Sequence, residues 1–366
     1  MPKLLITGGA GFIGANFVLH WRRLRPSDRI VVLDALTYAG NRANLDALHD
    51  DKALVFVHGD ICDSDLVGRL FREHDFDTVV HFAAESHVDR SIISSKAFIR
   101  TNVNGTHVLL DAALDAWRSS SRGKRFHHIS TDEVFGSLEL NASPFTETTR
   151  YDPRSPYAAS KAASDFLVRS YAHTYGLPVT ISNCSNNYGP FQFPEKLIPL
   201  LITNALNGEK LPIYGDGLNI RDWLCVDDHC AAIALILQEG RIGETYNIGG
   251  GAEMTNLELA KMICDEIDRK FAFDKSLAAR YPQCPAANRR GCQELLTFVK
   301  DRPGHDRRYA ICADKLSLEL GFRPQTLLAD GIARTVDWYI ANELWWRSIR
   351  DGSYREDASA NTRCES

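Results

Sequence analysis

The segment Ile6-Thr7-Gly8-Gly9-Ala10-Gly11-Phe12-Ile13-Gly14 constrains this chain more than any other. It joins an apolar run, Lys3 to Thr7, to a helical pattern, Phe12 to Leu24, so glycines spaced GxxGxxG fall on a strand-to-helix turn. Gly8 permits the tight turn, Gly11 lets the backbone approach a pyrophosphate, and Gly14 lets the helix lie close to the sheet. The helix start offers free N–H groups and the positive end of its dipole to phosphate oxygens. Any tight turn can use glycine. What sharpens this one is Asp34, which ends the next apolar run twenty residues after Gly14. That spacing suits a carboxylate on an adenosine ribose. Ala35 and Leu36 follow Asp34, so no cation stands there to accept a 2′-phosphate, and NAD is favoured over NADP.

The rest of the first half repeats this alternation. Strands are predicted at Arg29–Leu33, Ala53–Val57, Thr78–Ala83, Phe126–Ser130 and Val179–Asn183, with helices at Ser64–His74, Ala97–Trp117 and Pro156–Tyr175. Such β-α alternation predicts an α/β, Rossmann-type doubly wound parallel sheet with helices on both faces. The pattern changes after Asn187. The stretch 188–221 is rich in Pro and Gly around one helix, Pro194–Asn207. A helix at Asp227–Gln238 and a strand at Thr245–Ile248 resume the alternation, and a helix follows at Asn256–Asp268. Residues 1–187 are thus expected to form the NAD-binding domain, with the chain returning to it at 221–248. Residues 188–366 are expected to be mainly a smaller mixed α/β substrate domain. Arg269–Thr297 has weak periodicity and reads as an excursion, Asp330–Trp346 as an aromatic-rich helix, and 351–366 as a polar end that frays.

Composition closes several other routes. A net charge of −5 argues against general nucleic-acid binding. No apolar run is long enough to span a bilayer, and the N-terminal run breaks at Gly8-Gly9, unlike a signal peptide. The nine cysteines are scattered, without CxxC or a zinc-finger histidine spacing. They read as reduced side chains in a cytoplasmic protein, with no metal.

Two clusters carry candidate chemistry. Tyr157 and Lys161 lie four apart on a predicted helix, hence on one face. An ordinary helix face carries YxxxK equally well, but downstream of a dinucleotide turn the pair reads as a phenol whose pKa an ammonium lowers. Lys161 could also hold a nicotinamide ribose. Ser130-Thr131-Asp132-Glu133 closes the fifth strand, at the sheet edge where such folds bind ligands. The two carboxylates are an acid/base pair or a solvated turn. Asp60-Ile61 ends the third strand, where an adenine edge would come; Asp60 is equally suited to cap a helix.

With these residues in hand, the chain resembles the extended short-chain dehydrogenase/reductase family, and within it the sugar-nucleotide dehydratases that act on dTDP-glucose. The resemblance covers almost the whole chain, through TGGAGFIG (7–14), DALTYAGN (34–41), FAAESHVDRS (82–91), HHISTDEVFG (127–136), SPYAASKAASD (155–165), NCSNNYGPFQFPEKLIP (183–199), PIYGDGLNIRDWLCVDDH (212–229) and DRPGHDRRY (301–309). It implies a 4,6-dehydration that leaves a 4-keto-6-deoxy sugar nucleotide and water, with NAD tightly bound and regenerated. Tyr157 would take the O4 proton with Thr131 sharing the bond, Glu133 the C5 proton, and Asp132 would protonate the departing C6 hydroxyl. The cofactor would meet Gly8, Gly11, Phe12, Ile13, Gly14, Asp34, Thr37, Asp60, Ile61, Phe82, Ala83, Ala84, Ser86, Thr101, Tyr157, Lys161 and Asn187. The sugar nucleotide would meet Ser86, Thr131, Asn186, Lys196, Leu197, Pro212, Ile213, Tyr214, Arg221, Asn256, Asp301, Arg302 and His305. Arg221 and Arg302 suit a diphosphate, although Arg302 could equally form a surface ion pair.

The resemblance also implies a homodimer through the helices Ala97–Trp117 and Pro156–Tyr175. Apolar residues on more than one side of the first, such as Val108, Leu109 and Leu110, agree. Phe135 stands where the family often has tyrosine. Alternatives are a UDP- or GDP-sugar 4,6-dehydratase, a sugar-nucleotide 4-epimerase, or a non-catalytic NAD-sensing protein. Epimerases resembling this chain usually carry small or hydroxyl residues in place of Asp132-Glu133.

Overall fold

The computed structural model describes residues 2–355. Its strands are β1 (Lys3–Thr7), β2 (Arg29–Asp34), β3 (Leu54–His58), β4 (Thr78–His81), β5 (Arg125–Thr131), β6 (Val179–Cys184), β7 (Asn186–Tyr188), β8 (Leu211–Tyr214), β9 (Ile220–Cys225), β10 (Thr245–Ile248), β11 (Glu253–Thr255) and β12 (Leu296–Val299). Seven of them make one parallel sheet in the order β10-β6-β5-β4-β1-β2-β3. This is the expected Rossmann-type sheet. Winding reverses between β1 and β4, and a crevice opens beyond the carboxyl ends of strands at such a switch point.

Burial on both faces explains why these strands read as unbroken apolar runs. Leu4 and Ile6 of β1 enter one core with Phe17, Trp21 and Ile233, while Leu5 between them enters the other with Leu109, Leu110 and Phe126. The helix Val226–Glu239 packs beside the helix Phe12–Leu24 in the first core, and β10 pairs with β6. A third core lies outside the large sheet, around the helices Leu197–Leu206, Asn256–Phe273 and Leu328–Ala341. Two small sheets, β11-β9-β7 and β12-β8, accompany it. β9 therefore belongs to a small sheet, and the chain rejoins the large sheet's layers from Val226 onward.

Four expectations change. The helix predicted over Ala97–Trp117 runs from Lys96 but opens into a π-helical stretch at Ile99–Gly105. Within it, the Asn102 side chain accepts from Glu85 N at 2.8 Å and donates to Glu85 O at 3.0 Å. Arg269–Thr297 is not a loose excursion. Phe271, Leu277, Tyr281, Cys284 and Cys292 are buried in the third core, where weak periodicity reflects short helical turns rather than exposure. Asp330–Trp346 is two helices, Leu328–Ala341 and Glu343–Asp351. The end predicted to fray is docked as far as Tyr354, whose buried hydroxyl donates to Tyr38 O at 2.6 Å; residues 356–366 lie outside the described residues.

Gly331 shows how tightly the third core meets β7. A Cβ there would stand 2.0 Å from the Tyr188 hydroxyl, which belongs to a buried ring. Gly331→Ala should cost about 1–3 kcal/mol through overpacking. Urea unfolding checks this; an unchanged midpoint would refute the packing described.

Candidate functional site

The turn after β1 is built so that only glycine fits. Gly8 has φ +70°, and a Cβ on it would lie 2.6 Å from Ala83 N. A Cβ on Gly14 would lie 2.2 Å from Gly8 O, so the helix start touches the turn itself. Gly11 caps the helix Phe12–Leu24 without a side-chain hydrogen bond, and the first turn holds no acidic residue. A cradle that a Cβ would fill, at an uncapped helix N-terminus, fits the pyrophosphate of a dinucleotide. Asp34 fixes this turn from β2. Its carboxylate accepts from Ala10 N at 2.9 Å and Leu36 N at 2.8 Å, and burial pushes its pKa up.

A single cleft of about 740 Å³ runs from this turn across the switch point. Every residue expected at the cofactor lines it: Gly8, Gly11, Phe12, Ile13, Gly14, Asp34, Thr37, Asp60, Ile61, Phe82, Ala83, Ala84, Ser86, Thr101, Tyr157, Lys161 and Asn187. Asp60 is not the helix cap; Asp63 caps Ser64–His74. Asp60 instead accepts from Cys62 N at 2.8 Å and pairs with Arg100 at 2.7 Å. Burial would push its carboxyl up, but these partners hold it below the usual range.

The same cleft reaches Thr131, Asp132 and Glu133. β5 ends at Thr131, whose hydroxyl accepts from Glu133 N at 3.3 Å and starts the 3₁₀ turn Asp132–Phe135. At about three residues per turn, the adjacent carboxyl groups diverge by roughly 120°. Asp132 is 1% exposed, and one of its oxygens has no partner. Burial, then the charges of Glu133 and Asp222, push its pKa well above the carboxylate range. Burial also raises Glu133, but Arg302, Lys196 and Arg221 all pull against it. Environments that separate two neighbouring carboxyls in this way make one an acid and the other a base.

Tyr157 and Lys161 both lie on the helix Pro156–Tyr175 and are both buried. Their relation departs from expectation. The Lys161 ammonium donates to Ile129 O at 2.7 Å and lies 3.4 Å from His128 Nε2. The Tyr157 phenol is pushed well above 10 by burial and by Glu133, with a hydrogen bond to Thr131 opposing. In the chain alone the lysine therefore does not produce a phenolate. Lys161 itself is lowered to about 8 by burial.

The residues expected at the sugar nucleotide divide. Ser86, Thr131, Asn186 and Lys196 line the cleft, and Lys196 Nζ donates to Ser86 O at 3.0 Å. Leu197, Pro212, Ile213, Tyr214, Arg221, Asn256, Asp301, Arg302 and His305 are not on its wall. Arg221 and Arg302 nevertheless act on Glu133, which places their charges beside the carboxyl pair. Arg221 is buried over the Tyr309 ring at 4.3 Å and donates to Ile220 O and Asp306 O. Arg302 pairs with Asp89 at 3.3 Å but keeps an unpartnered Nε. His305 contacts Asp301 at 2.6 Å and meets Tyr214 edge-on. Asn186 and Asn256 each keep a buried side-chain oxygen without a partner. Leu197 packs against the third core and Ile213 is sealed within it, so Ile213 offers only its backbone.

Some cleft residues were not singled out from the sequence. Tyr38 and Glu85 lie inside quoted motifs, and both line the wall. Cys184, Gln192 and Phe193, inside the motif at 183–199, also line it, as does Arg100, which no quoted motif contains. Phe135 stacks on Phe145 at 5.1 Å and meets Tyr151 edge-on at 5.2 Å, within a small buried cluster. Among the described residues no cluster of His, Cys, Asp or Glu could hold a metal, and no helix is long and apolar enough to cross a membrane.

Comparison with known proteins gives a consistent set of relatives. The GDP-mannose 4,6 dehydratase family model matches residues 5–335. A dTDP-glucose 4,6-dehydratase of Xanthomonas campestris pv. campestris is 53% identical over 359 residues, covering 97% of this chain and 98% of that protein. One from Escherichia coli is 50% identical over 365 residues, covering 96% and 97%. The crystal structure of DesIV, a dTDP-glucose 4,6-dehydratase of Streptomyces venezuelae with NAD bound, superposes with a TM-score of 0.83 at 49% identity, covering 95% and 99%. A UDP-glucose 4-epimerase of Thermotoga maritima shares the fold at 27% identity and a TM-score of 0.77, covering 93% and 99%.

Proposed function

The chain belongs to the dTDP-glucose 4,6-dehydratases, NAD-dependent hydro-lyases, and on that premise we propose how its own residues divide the reaction. The overall conversion is of dTDP-glucose to dTDP-4-keto-6-deoxyglucose and water. The observation that carries the reading is the pair of buried Asp132 and half-buried Glu133, set in different electrostatic surroundings, in one cleft with Tyr157 and the glycine turn.

NAD, when bound, would supply the hydride chemistry that moves hydrogen from sugar C4 to C6. The glycine turn and the N–H groups of Phe12 to Gly14 would hold its phosphates, Asp34 its adenosine ribose and Lys161 its nicotinamide ribose. Tyr157, bonded to Thr131, is the base for the O4 proton as the 4-ketone forms. Protonated in the chain alone, it must first release its own proton to solvent. The O4 proton later leaves it by the same route, while Asp132 regains one. The ketone acidifies the C5 hydrogen, and Glu133 removes it; burial raises the Glu133 carboxyl, and the cations around it oppose that rise. Asp132, kept protonated by burial, delivers its proton to the C6 hydroxyl as water leaves. Glu133 then returns a proton to C5. Lys196, Arg221 and Arg302 converge on this point from three segments and would neutralise the diphosphate, with Asn186, Asn256, Asp301 and His305 beside them.

Residues 1–187 together with 226–248 are the cofactor-binding part of this scheme, and the remainder carries the nucleotide end. The eight described cysteines are free thiols, six of them buried, which supports a cytoplasmic setting. A homodimer is also part of the proposal, with one change of reasoning. Leu109 and Leu110 are covered within the chain itself, so they do not call for a partner. Exposed Phe166 and Tyr175 on Pro156–Tyr175, with Ile93 and Ile99 nearby in sequence to the other helix, support it instead. Light scattering should give twice the chain mass at micromolar concentration; a monomer would oppose the dimer.

Substrate and roles are tested together. Incubation with dTDP-, UDP- and GDP-glucose should yield a product lighter by one water from the dTDP sugar at the highest rate. General acid–base groups contribute about 10²–10⁴-fold. Glu133→Gln should lose that much product formation and slow deuterium entry at C5, while still allowing some NADH absorbance in a single turnover. Asp132→Asn should lose turnover yet keep more of the C5 exchange. Tyr157→Phe should block every step. Dehydration at the normal rate by Glu133→Gln would remove the assignment of that base.

A further inference from the structure

Behind Lys161 lies a polar group that the reaction scheme does not use. Asp165 is 0% exposed and sits one helical turn after Lys161 and two after Tyr157. One of its oxygens accepts from Ser130 Oγ at 2.8 Å and from the Tyr151 hydroxyl at 2.8 Å. The other lies 3.1 Å from His128 Nε2, and that nitrogen is 3.4 Å from the Lys161 ammonium. Ser130 precedes Thr131-Asp132-Glu133, so this carboxylate ties the end of β5 to the helix that carries Tyr157 and Lys161.

A fully buried carboxylate is costly unless something needs its charge. The groups facing Lys161 identify that need. His128 on β5 and His81 on β4 are both held neutral by burial, and Cys184 on β6 is kept a thiol in the same way. Tyr157 on the same helix is protonated. Asp132, at the strand end, keeps its proton, and Glu133 faces Arg302, Lys196 and Arg221. Asp165 is thus the ionised group left on the inner side of Lys161. Burial would push its carboxyl up, but His128, Lys161 and Tyr151 hold it below the usual range.

We propose that Asp165 is a positioning residue, whose buried charge keeps Lys161 an ammonium and whose hydrogen bonds lock the acid–base strand end to the Tyr157–Lys161 helix. This rests on the division of roles proposed above, in which Lys161 works as a cation. Asp165 is not on the wall of the cleft.

Asp165→Asn keeps the shape and removes the charge. Loss of an opposite charge at this range moves a pKa by about 1–3 units. Lys161 stands at about 8 with Asp165 in place. In the variant it should lose its proton at lower pH, and the alkaline limb of the kcat profile should move toward acid by about 1–3 pH units. At pH 8 the rate should fall on the order of 10-fold or more and recover partly on acidification. Circular dichroism and retained NAD after gel filtration show that the variant is folded. A folded variant whose limb stays in place, or whose loss is equal at every pH, overturns the charge role.

Ser130→Ala and Tyr151→Phe cover the case in which Asp165→Asn does not fold. Each removes one donor and leaves the charge. They should lower kcat on the order of 10-fold through misplacement, with the alkaline limb unmoved. Wild-type rates at every pH in both would overturn the tether. The wild-type profile, measured first, tests the reading of the site, and the difference between profiles tests Asp165, so the two fail separately.

Discussion

Two carboxyl groups on consecutive residues, one buried and the other half-buried, cannot both ionise without a penalty. The site depends on how Asp132 and Glu133 resolve that conflict. Asp132 faces its neighbour's charge and Asp222, and keeps its proton. Glu133 turns toward Arg302, Lys196 and Arg221. The 3₁₀ turn that separates the two side chains starts only because β5 ends at Thr131, whose hydroxyl takes up the Glu133 N–H. A strand that ran one residue further would place both groups differently.

The parallel sheet brings the other half of the chemistry to the same place. Winding reverses between β1 and β4, so the glycine turn after β1 and the segment Phe82–Ser86 after β4 face each other across the crevice. β5 lies next to β4, which puts the carboxyl pair beside the cofactor end of the cleft. The helix Pro156–Tyr175 covers β5 and supplies Tyr157 and Lys161. The remaining cations come from segments far along the chain, Lys196, Arg221 and Arg302, and reach Glu133 only through the folding of the second part.

Much of this was legible in the sequence, for physical reasons that can be named. β1 stands at its predicted bounds because a central strand buried on both faces leaves a run such as Leu4-Leu5-Ile6. Gly8, Gly14 and Asp34 were readable because contact with backbone permits no substitute. The small strands β7, β8, β9, β11 and β12 were missed, since three- to six-residue strands amid Pro and Gly carry little periodicity. Arg269–Thr297 was misread because short turns that bury single residues, such as Tyr281 and Cys292, show no period at all. The direction of Lys161 was invisible: spacing places it on the Tyr157 face, but only the fold reveals the Ile129 carbonyl that captures the ammonium. Leu109 and Leu110 looked like surplus apolar surface until the helix Ser64–His74 and the sheet were seen to cover them.

The central claim is that burial keeps Asp132 protonated at neutral pH while Glu133 answers to its cations. Infrared spectra of the NAD-loaded protein at pH 7 test it directly, because a protonated buried carboxyl has a carbonyl band separate from those of carboxylates and amides. The account predicts that band in the wild-type protein, its loss in Asp132→Asn and its persistence in Glu133→Gln. A wild-type spectrum without the band, or one in which only Glu133→Gln removes it, would contradict the account.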